Sequence, residues 1–316
     1  MTTPTGTPSG LEHVGMLYHD REEYVRGCAR FARRGLGAGE PVMVAVPGAN
    51  GRLIREELGV AADSVRFADM TSAGRNPAGI LPWVLLDFAK RHAGQRVWII
   101  GEPVWPGRTP MEYPACVAHE ALINKAFAGY DAAILCPYDA ANLGAEVIDD
   151  SWRTHPVMAD AVRTWLSTAY DDPVGVVARL NRPLPQPPPQ AERHRYMSVS
   201  ELTRLRGAVA RQAELVGLTP HRVADLLVAI NELASNTIDH TPTGEGALTV
   251  WQEPGVLVCQ VEDYGRFTDP MAGRVPPANP FGRGHGLTLV SYLTDLLRIY
   301  THHDGTTFRL HMHTDE

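Results

Sequence analysis

A run of prolines divides this chain. Residues 181–195, NRPLPQPPPQAERHR, hold five prolines, each of which removes a backbone donor and biases the residue before it towards extended backbone. Neither a helix nor an interior strand tolerates such a stretch, so it reads as a semi-rigid linker, spanning 179–195. The 316 residues are long enough for a separately cored domain on each side of it. The opening MTTPTGTPSG, residues 1–10, has neither the charged start nor the apolar core of a targeting segment and is expected to be disordered.

The two sides differ in pattern. Before the linker, short buried-strand runs (41–46, 96–100, 132–138) alternate with helix-like stretches (REEYVRGCARFARRGL, PAGILPWVLLDFAKRHA, PACVAHEALINKAFAGY). Such alternation predicts an α/β domain over 11–178 with a mostly parallel sheet. After it, Ser198 and Glu201 have capping-box spacing ahead of a helix, a second helix follows over roughly 220–240, and two hairpins come next. ALTVWQ pairs with GVLVCQVED, and LLRIYTH with TTFRLHM, across Glu-Pro-Gly and Asp-Gly turns. The second domain, 196–316, is therefore expected to be an α+β sandwich on an antiparallel-rich mixed sheet.

Charge and composition narrow the functions. A formal net charge of -7 opposes the broad positive field that phosphate backbones require, so direct nucleic-acid binding is not expected. No run of 18 apolar residues occurs, which predicts a cytoplasmic protein without a membrane span. Cys28, Cys116, Cys136 and Cys259 are scattered among apolar neighbours and read as buried, reduced thiols.

The chemistry concentrates at NELASNTIDH, residues 231–240. On a helix, Leu226, Ile230, Leu233 and Thr237 share a core face, while Glu232, Asn236, Asp239 and His240 cluster beside it. Burying such polar groups without partners costs about 1–3 kcal/mol each, so this face looks into something. An acidic turn follows, with Asp263 two residues before Gly265. Then comes GRGHGLTLV, where Gly282, Gly284 and Gly286 alternate around His285 ahead of an apolar helix. Glycines let amides approach phosphate oxygens, and a helix N-terminus favours their charge.

That order of motifs resembles the ATPase superfamily of histidine kinases, gyrase and the heat-shock chaperones. Within it, the second domain looks most like the anti-sigma-factor serine kinases. The resemblance implies ATP and magnesium as cofactors, with Asn236 as the magnesium ligand and Glu232 orienting or deprotonating an attacking hydroxyl. Asp263 would read adenine with Gly265 beside it in the site, while Gly282, Gly284 and Gly286 would line the phosphates; His240 ends the row, and His285 would either touch phosphate or sit exposed in the lid. It further implies a sigma factor and a STAS-type anti-anti-sigma protein as partners, and it allows a homodimer. The family's acidic turn continues D-x-G-x-G, whereas Phe267 stands at the second glycine and should restrict the backbone there. Two other readings stay open. A non-catalytic binding regulator would have a vestigial nucleotide site. A histidine kinase would need an acceptor histidine on a dimerisation hairpin, and residues 196–219 contain no histidine. His302, His303, His311 and His313 suggest metal, but no cysteine or carboxylate pattern completes them.

The first domain, from HVGMLYHDREEYVRGCARF through IIGEPVW, HEALINKAF and LCPYDA to THPVM, resembles the MEDS sensory domain, distantly similar to RecA-type ATPases. The resemblance implies a small-molecule signal. PVMVAVPGANGRLI lacks the G-K-[ST] triplet of a phosphate loop, so no ATP hydrolysis is expected in this half. Polar and aromatic residues at expected strand ends and helix starts are the pocket candidates: His13, His19, Glu102, Trp105, Glu120, Asn124, Tyr138 and His155.

Overall fold

The computed structural model of the protein describes residues 10–275 and 285–314. The expected disordered start therefore lies, except for Gly10, outside the described residues. The chain divides into two compact units. One comprises Met1–Gly74 and Trp83–Val176, the other Arg75–Pro82 and Val177–Glu316.

In the first unit, β1 (Leu11–Tyr18), α1 (Arg21–Gly37), β2 (Val42–Val46), α2 (Gly48–Leu58) and β3 (Val65–Asp69) come first. Beyond α3 (Pro77–Ile80), which belongs to the other unit, follow α4 (Leu86–Arg91), β4 (Val97–Gly101), α5 (Tyr113–Ala126), β5 (Ala132–Asp139), α6 (Ala145–Thr154), β6 (Val157–Ala159) and β7 (Thr164–Leu166). The strands lie in the order β3-β2-β4-β5-β1-β6-β7, parallel except for the β6–β7 pair. Wholly buried strands such as VMVAV and VWIIG are what a sheet covered on both faces demands. Because side chains alternate along a strand, Val14, Met16 and Tyr18 join Tyr24, Cys28 and Phe31 of α1 in one core, and His13 and Gly15 face the other way. The helix expected over 77–93 is interrupted: a π turn at Leu81–Leu85 separates α3 from α4. Pro82 has no amide to continue the ladder.

In the second unit, α7 (Pro173–Leu180) leads in from the first, and β8 (Glu192–Tyr196), α8 (Leu202–Leu215), α9 (Pro220–His240), β9 (Gly246–Glu253), β10 (Val256–Asp263), α10 (Gly286–Leu293), β11 (Leu296–His302) and β12 (Gly305–His313) follow. The sheet order is β11-β12-β10-β9-β8. Every pairing is antiparallel, where the sequence suggested a mixed sheet. Both expected hairpins form, β9 with β10 and β11 with β12, while α8 and α9 connect β8 to β9 and β10 pairs with β12 across the α10 connection. Leu205 and Val209 of α8 and Leu226, Ile230 and Leu233 of α9 pack on Leu248, Val250, Cys259 and Leu310 of the sheet.

The proline-rich segment is bonded along this unit. Pro185 O accepts from Arg309 Nη2 at 2.5 Å, Asn181 exchanges two hydrogen bonds with Thr301 at 2.7 and 2.9 Å, and its last residues enter β8 at the sheet edge. Segment Arg75–Pro82 also packs here: Arg75 pairs with Asp295 at 2.7 Å, and Asn76 Nδ2 donates to Thr294 O at 3.2 Å. No described helix is long and apolar enough to cross a membrane.

Candidate functional site

Thr219 caps α9 by accepting from the Arg222 amide at 3.4 Å, and Pro220 occupies the first turn, where no amide partner is lost. Leu226, Ile230, Leu233 and Thr237 are at most 2% exposed. Glu232 and Asn236 are half-buried, and Asp239 and His240 are exposed. The polar face borders a cleft of about 530 Å³, lined also by Asp263, Gly265, Phe267, Gly273, His285, Gly286 and Thr306. Every candidate of the second domain within the described residues thus lines one cleft, and Gly282 and Gly284 lie outside those residues.

Two details show how closely the elements meet. A Cβ on Gly286 would stand 2.9 Å from Glu232 Oε2 and 3.2 Å from Asn236 Nδ2. Only glycine lets the N-terminus of α10 come this near the carboxylate and the amide. At the other end, Asp263 is fixed from two sides. Its Oδ1 accepts from the Gly265 amide at 2.8 Å. Its Oδ2 lies 3.1 Å from the Thr237 hydroxyl, which in turn accepts from Tyr196 at 3.0 Å. Burial raises the Asp263 carboxyl above its usual range despite those bonds. Thr237 was legible only as a core residue, but its hydroxyl aims the aspartate.

Phe267 does not strain the turn. No non-glycine residue among those described has a positive φ, and the Phe267 amide donates to the Thr306 hydroxyl at 3.1 Å. Its ring packs edge-on to Phe308 at 5.8 Å and forms part of the cleft wall. The site thus offers a carboxylate, an amide oxygen, a helix N-terminus and a half-buried aspartate around one space. That donor set fits a nucleotide with a hard divalent cation, for which oxygen ligands are the match.

In the first unit the eight candidates do not form one pocket. His19 is exposed, 3.3 Å from Glu23, and Trp105 carries the Arg108 guanidinium 3.9 Å over its ring. Glu102 is buried on the α1 side, accepting from Tyr24 at 2.8 Å and from Asn50 at 3.0 Å. Burial raises its carboxyl to about 7. On the opposite face His13, Glu120, Asn124, Tyr138 and His155 come together with Cys136. Cys136 is buried and reduced as expected, but its place in a cluster was not foreseen. Where a phosphate loop would follow β2, the first amide of α2, on Gly48, donates to Asp69 at 2.9 Å. A carboxylate there repels phosphate.

Comparison with known proteins gives each unit a counterpart. Residues 12–156 match the model of the MEDS family, the methanogen/methylotroph DcmR sensory domain. Residues 198–312 match the model of the histidine kinase-like ATPase domain. Among solved structures, the RsbU and RsbW domains of Rv1364c from Mycobacterium tuberculosis align at 16% identity with a TM-score of 0.29. The alignment covers 39% of this chain and 32% of that one, so this chain spans about a third of that neighbour's length. No curated protein matches the chain.

Proposed function

The chain joins a MEDS domain to a histidine kinase-like ATPase domain, and from that premise we propose that it is a signal-responsive anti-sigma regulatory factor. It binds ATP with magnesium in the α9–α10 cleft and phosphorylates a serine or threonine of an anti-anti-sigma partner. The observation that carries this reading is the convergence of Glu232, Asn236, Asp263 and the Gly286 end of α10 on one cleft.

Each residue has a distinct task. Asp263, held by Gly265 and Thr237, accepts from an exocyclic amine at the buried end. The N-terminus of α10 favours the negative charge of the phosphates. Asn236 offers its amide oxygen to the cation, and magnesium when bound neutralises charge on the phosphates. Glu232 orients the incoming hydroxyl and takes its proton. The sigma factor and the STAS-type protein rest on the sequence resemblance of this domain to the anti-sigma-factor kinases.

Incubating the full chain with labelled ATP, magnesium and purified anti-anti-sigma proteins tests it: label on a partner serine or threonine is expected. One observation favours a second reading, a regulator that binds without transfer: the Phe267 side chain forms cleft wall where the family has a glycine. Nucleotide binding without any labelled partner would select that reading.

A further inference from the structure

The cluster on the second face of the first sheet has an arrangement of lone pairs that hydrogen bonds do not account for. Asn124 donates from Nδ2 to Ala121 O at 3.2 Å and Thr154 O at 2.9 Å. Its Oδ1 therefore faces His13 Nδ1, 3.1 Å away, and that nitrogen must carry the proton. His155 Nδ1 lies 2.9 Å from Ser151 O, and a carbonyl can only accept. In both neutral rings Nε2 is thus the lone-pair nitrogen. Both point at the same atom: Glu120 Oε2 is 3.4 Å from His13 Nε2 and 3.2 Å from His155 Nε2, with all three side chains fully enclosed. These contacts lack hydrogen-bond angles, and both Glu120 oxygens and His155 Nε2 have no hydrogen-bond partner. Cys136 Sγ is 3.4 Å from His13 Nε2, and the four atoms lie within 4.8 Å of one another.

Acceptors crowded together in a dry interior need a cation. Even with the Cys136 thiol donating to His13 Nε2, one proton shared by Glu120 Oε2 and His155 Nε2 would leave the buried Glu120 Oε1 without a partner. We propose that His13, Glu120, Cys136 and His155 form a closed site for one divalent metal ion of the zinc class. Two imidazoles, a carboxylate and a thiolate are borderline-soft ligands that suit it. At metal–ligand bonds of about 2.0–2.3 Å, the edges of a tetrahedron are about 3.3–3.8 Å long, close to the 3.2–3.4 Å between Glu120, Cys136 and the two ring nitrogens they face. Binding forms one metal–sulfur bond and releases the thiol proton to water. The two anionic ligands then cancel the charge of the ion, which a buried site requires.

The surroundings suit the same purpose. Each histidine gives its other ring N–H to a fixed oxygen, the outer-shell arrangement that orients metal-bound imidazoles. Gly15 makes room: a Cβ there would stand 3.1 Å from His155 Cγ and 2.8 Å from Met158 Sδ. Four protein ligands leave no open position, so the ion braces β1, β5, α5 and the end of α6 together rather than binding substrate.

Cobalt(II) is the probe. Full-length protein stripped with chelator and reloaded is expected to retain one equivalent through gel filtration. It should show tetrahedral visible bands and a thiolate-to-cobalt band in the near ultraviolet, all displaced by zinc. Cys136→Ser should abolish the near-ultraviolet band, and Asn124→Ala should weaken binding about 10–100-fold. The exposed group His302, His303 and Asp304 is the control, since a His302→Ala, His303→Ala double variant should keep the whole spectrum. Wild-type protein that retains no cobalt overturns the proposal without recourse to any variant. So does a band that survives Cys136→Ser, or a spectrum lost with the surface histidines.

Discussion

The two units gather polar side chains in opposite ways. In the first, His13, Glu120 and His155 are fully enclosed, and Asn124 and Ser151 hold both imidazoles in place. In the second, Glu232 and Asn236 are half-buried beside an open cleft, held by the helix they sit on rather than by partners. An enclosed cluster must be satisfied from within, because an unpaired buried polar group costs about 1–3 kcal/mol. A cleft side chain can wait in water for a ligand. Substitution of His13, Glu120 or His155 should therefore cost fold or metal, and substitution in the second should cost ligand or rate while the fold survives.

The largest expected effect lies in the cleft. Glu232→Gln keeps shape and a hydrogen-bonding group but removes the base, so phosphotransfer should fall about 10²–10⁴-fold. Nucleotide affinity should hardly change. Single-turnover transfer and calorimetry on the same preparation separate the two; a parallel loss of affinity would assign Glu232 to binding instead.

Next comes Glu102, which tests the enclosed side through pH. Its carboxyl titrates near 7 in the folded chain, raised from 4.5 by burial. The unfolded chain gives up that proton first, so the native state binds more protons between those values. Stability therefore falls as pH rises from about 4.5 to about 7 and levels off above. Glu102→Gln removes this loss. The variant should match wild type near pH 4 and exceed it at pH 8 by about 3 kcal/mol, since each pKa unit is worth about 1.4 kcal/mol. Denaturant melts of both proteins across that range check it, and equal stability at pH 8 would show that Glu102 is not held protonated.

The same contrast explains what could be read from the sequence. Glu232 and Asn236 share a helix, where four-residue spacing is visible in the chain itself, so the cleft face was legible. The cluster of the first unit was not, because it depends on register: Gly15 lies opposite Cys136, and His13 opposite Ile134. No local pattern reveals that pairing across more than a hundred residues. Alternation then decides membership. His13 and Tyr138 come to one cluster with His155, but Glu102 lies on the other face of the sheet, and His19 follows β1 into solvent. β1 itself escaped the periodicity because LEHVGMLY carries buried His13 and Gly15 where an apolar pair would mark a strand. Likewise β8 was hidden in the proline-rich segment, since ERHRY has the composition of a linker. As an edge strand beside β9 it needs only one neighbour.

The smallest effect expected is the sharpest test of the open site. Asn236 faces Gly286 across a gap that a single methyl would fill, so its amide belongs to the cleft and not to the core. Asn236→Ala deletes that amide from a half-exposed position, and unfolding free energy should shift by no more than about 0.5 kcal/mol. Binding is another matter, because a polar contact to a charged group contributes about 1.5–3 kcal/mol, which corresponds to roughly a 10–100-fold weaker affinity for magnesium–ATP. Calorimetric titration of the full chain measures the affinity, and a denaturant melt of the same sample measures the fold. Wild-type affinity would remove Asn236 from the cation site. A large loss of stability would show that the amide is structural, and the contrast with the enclosed cluster of the first unit would disappear.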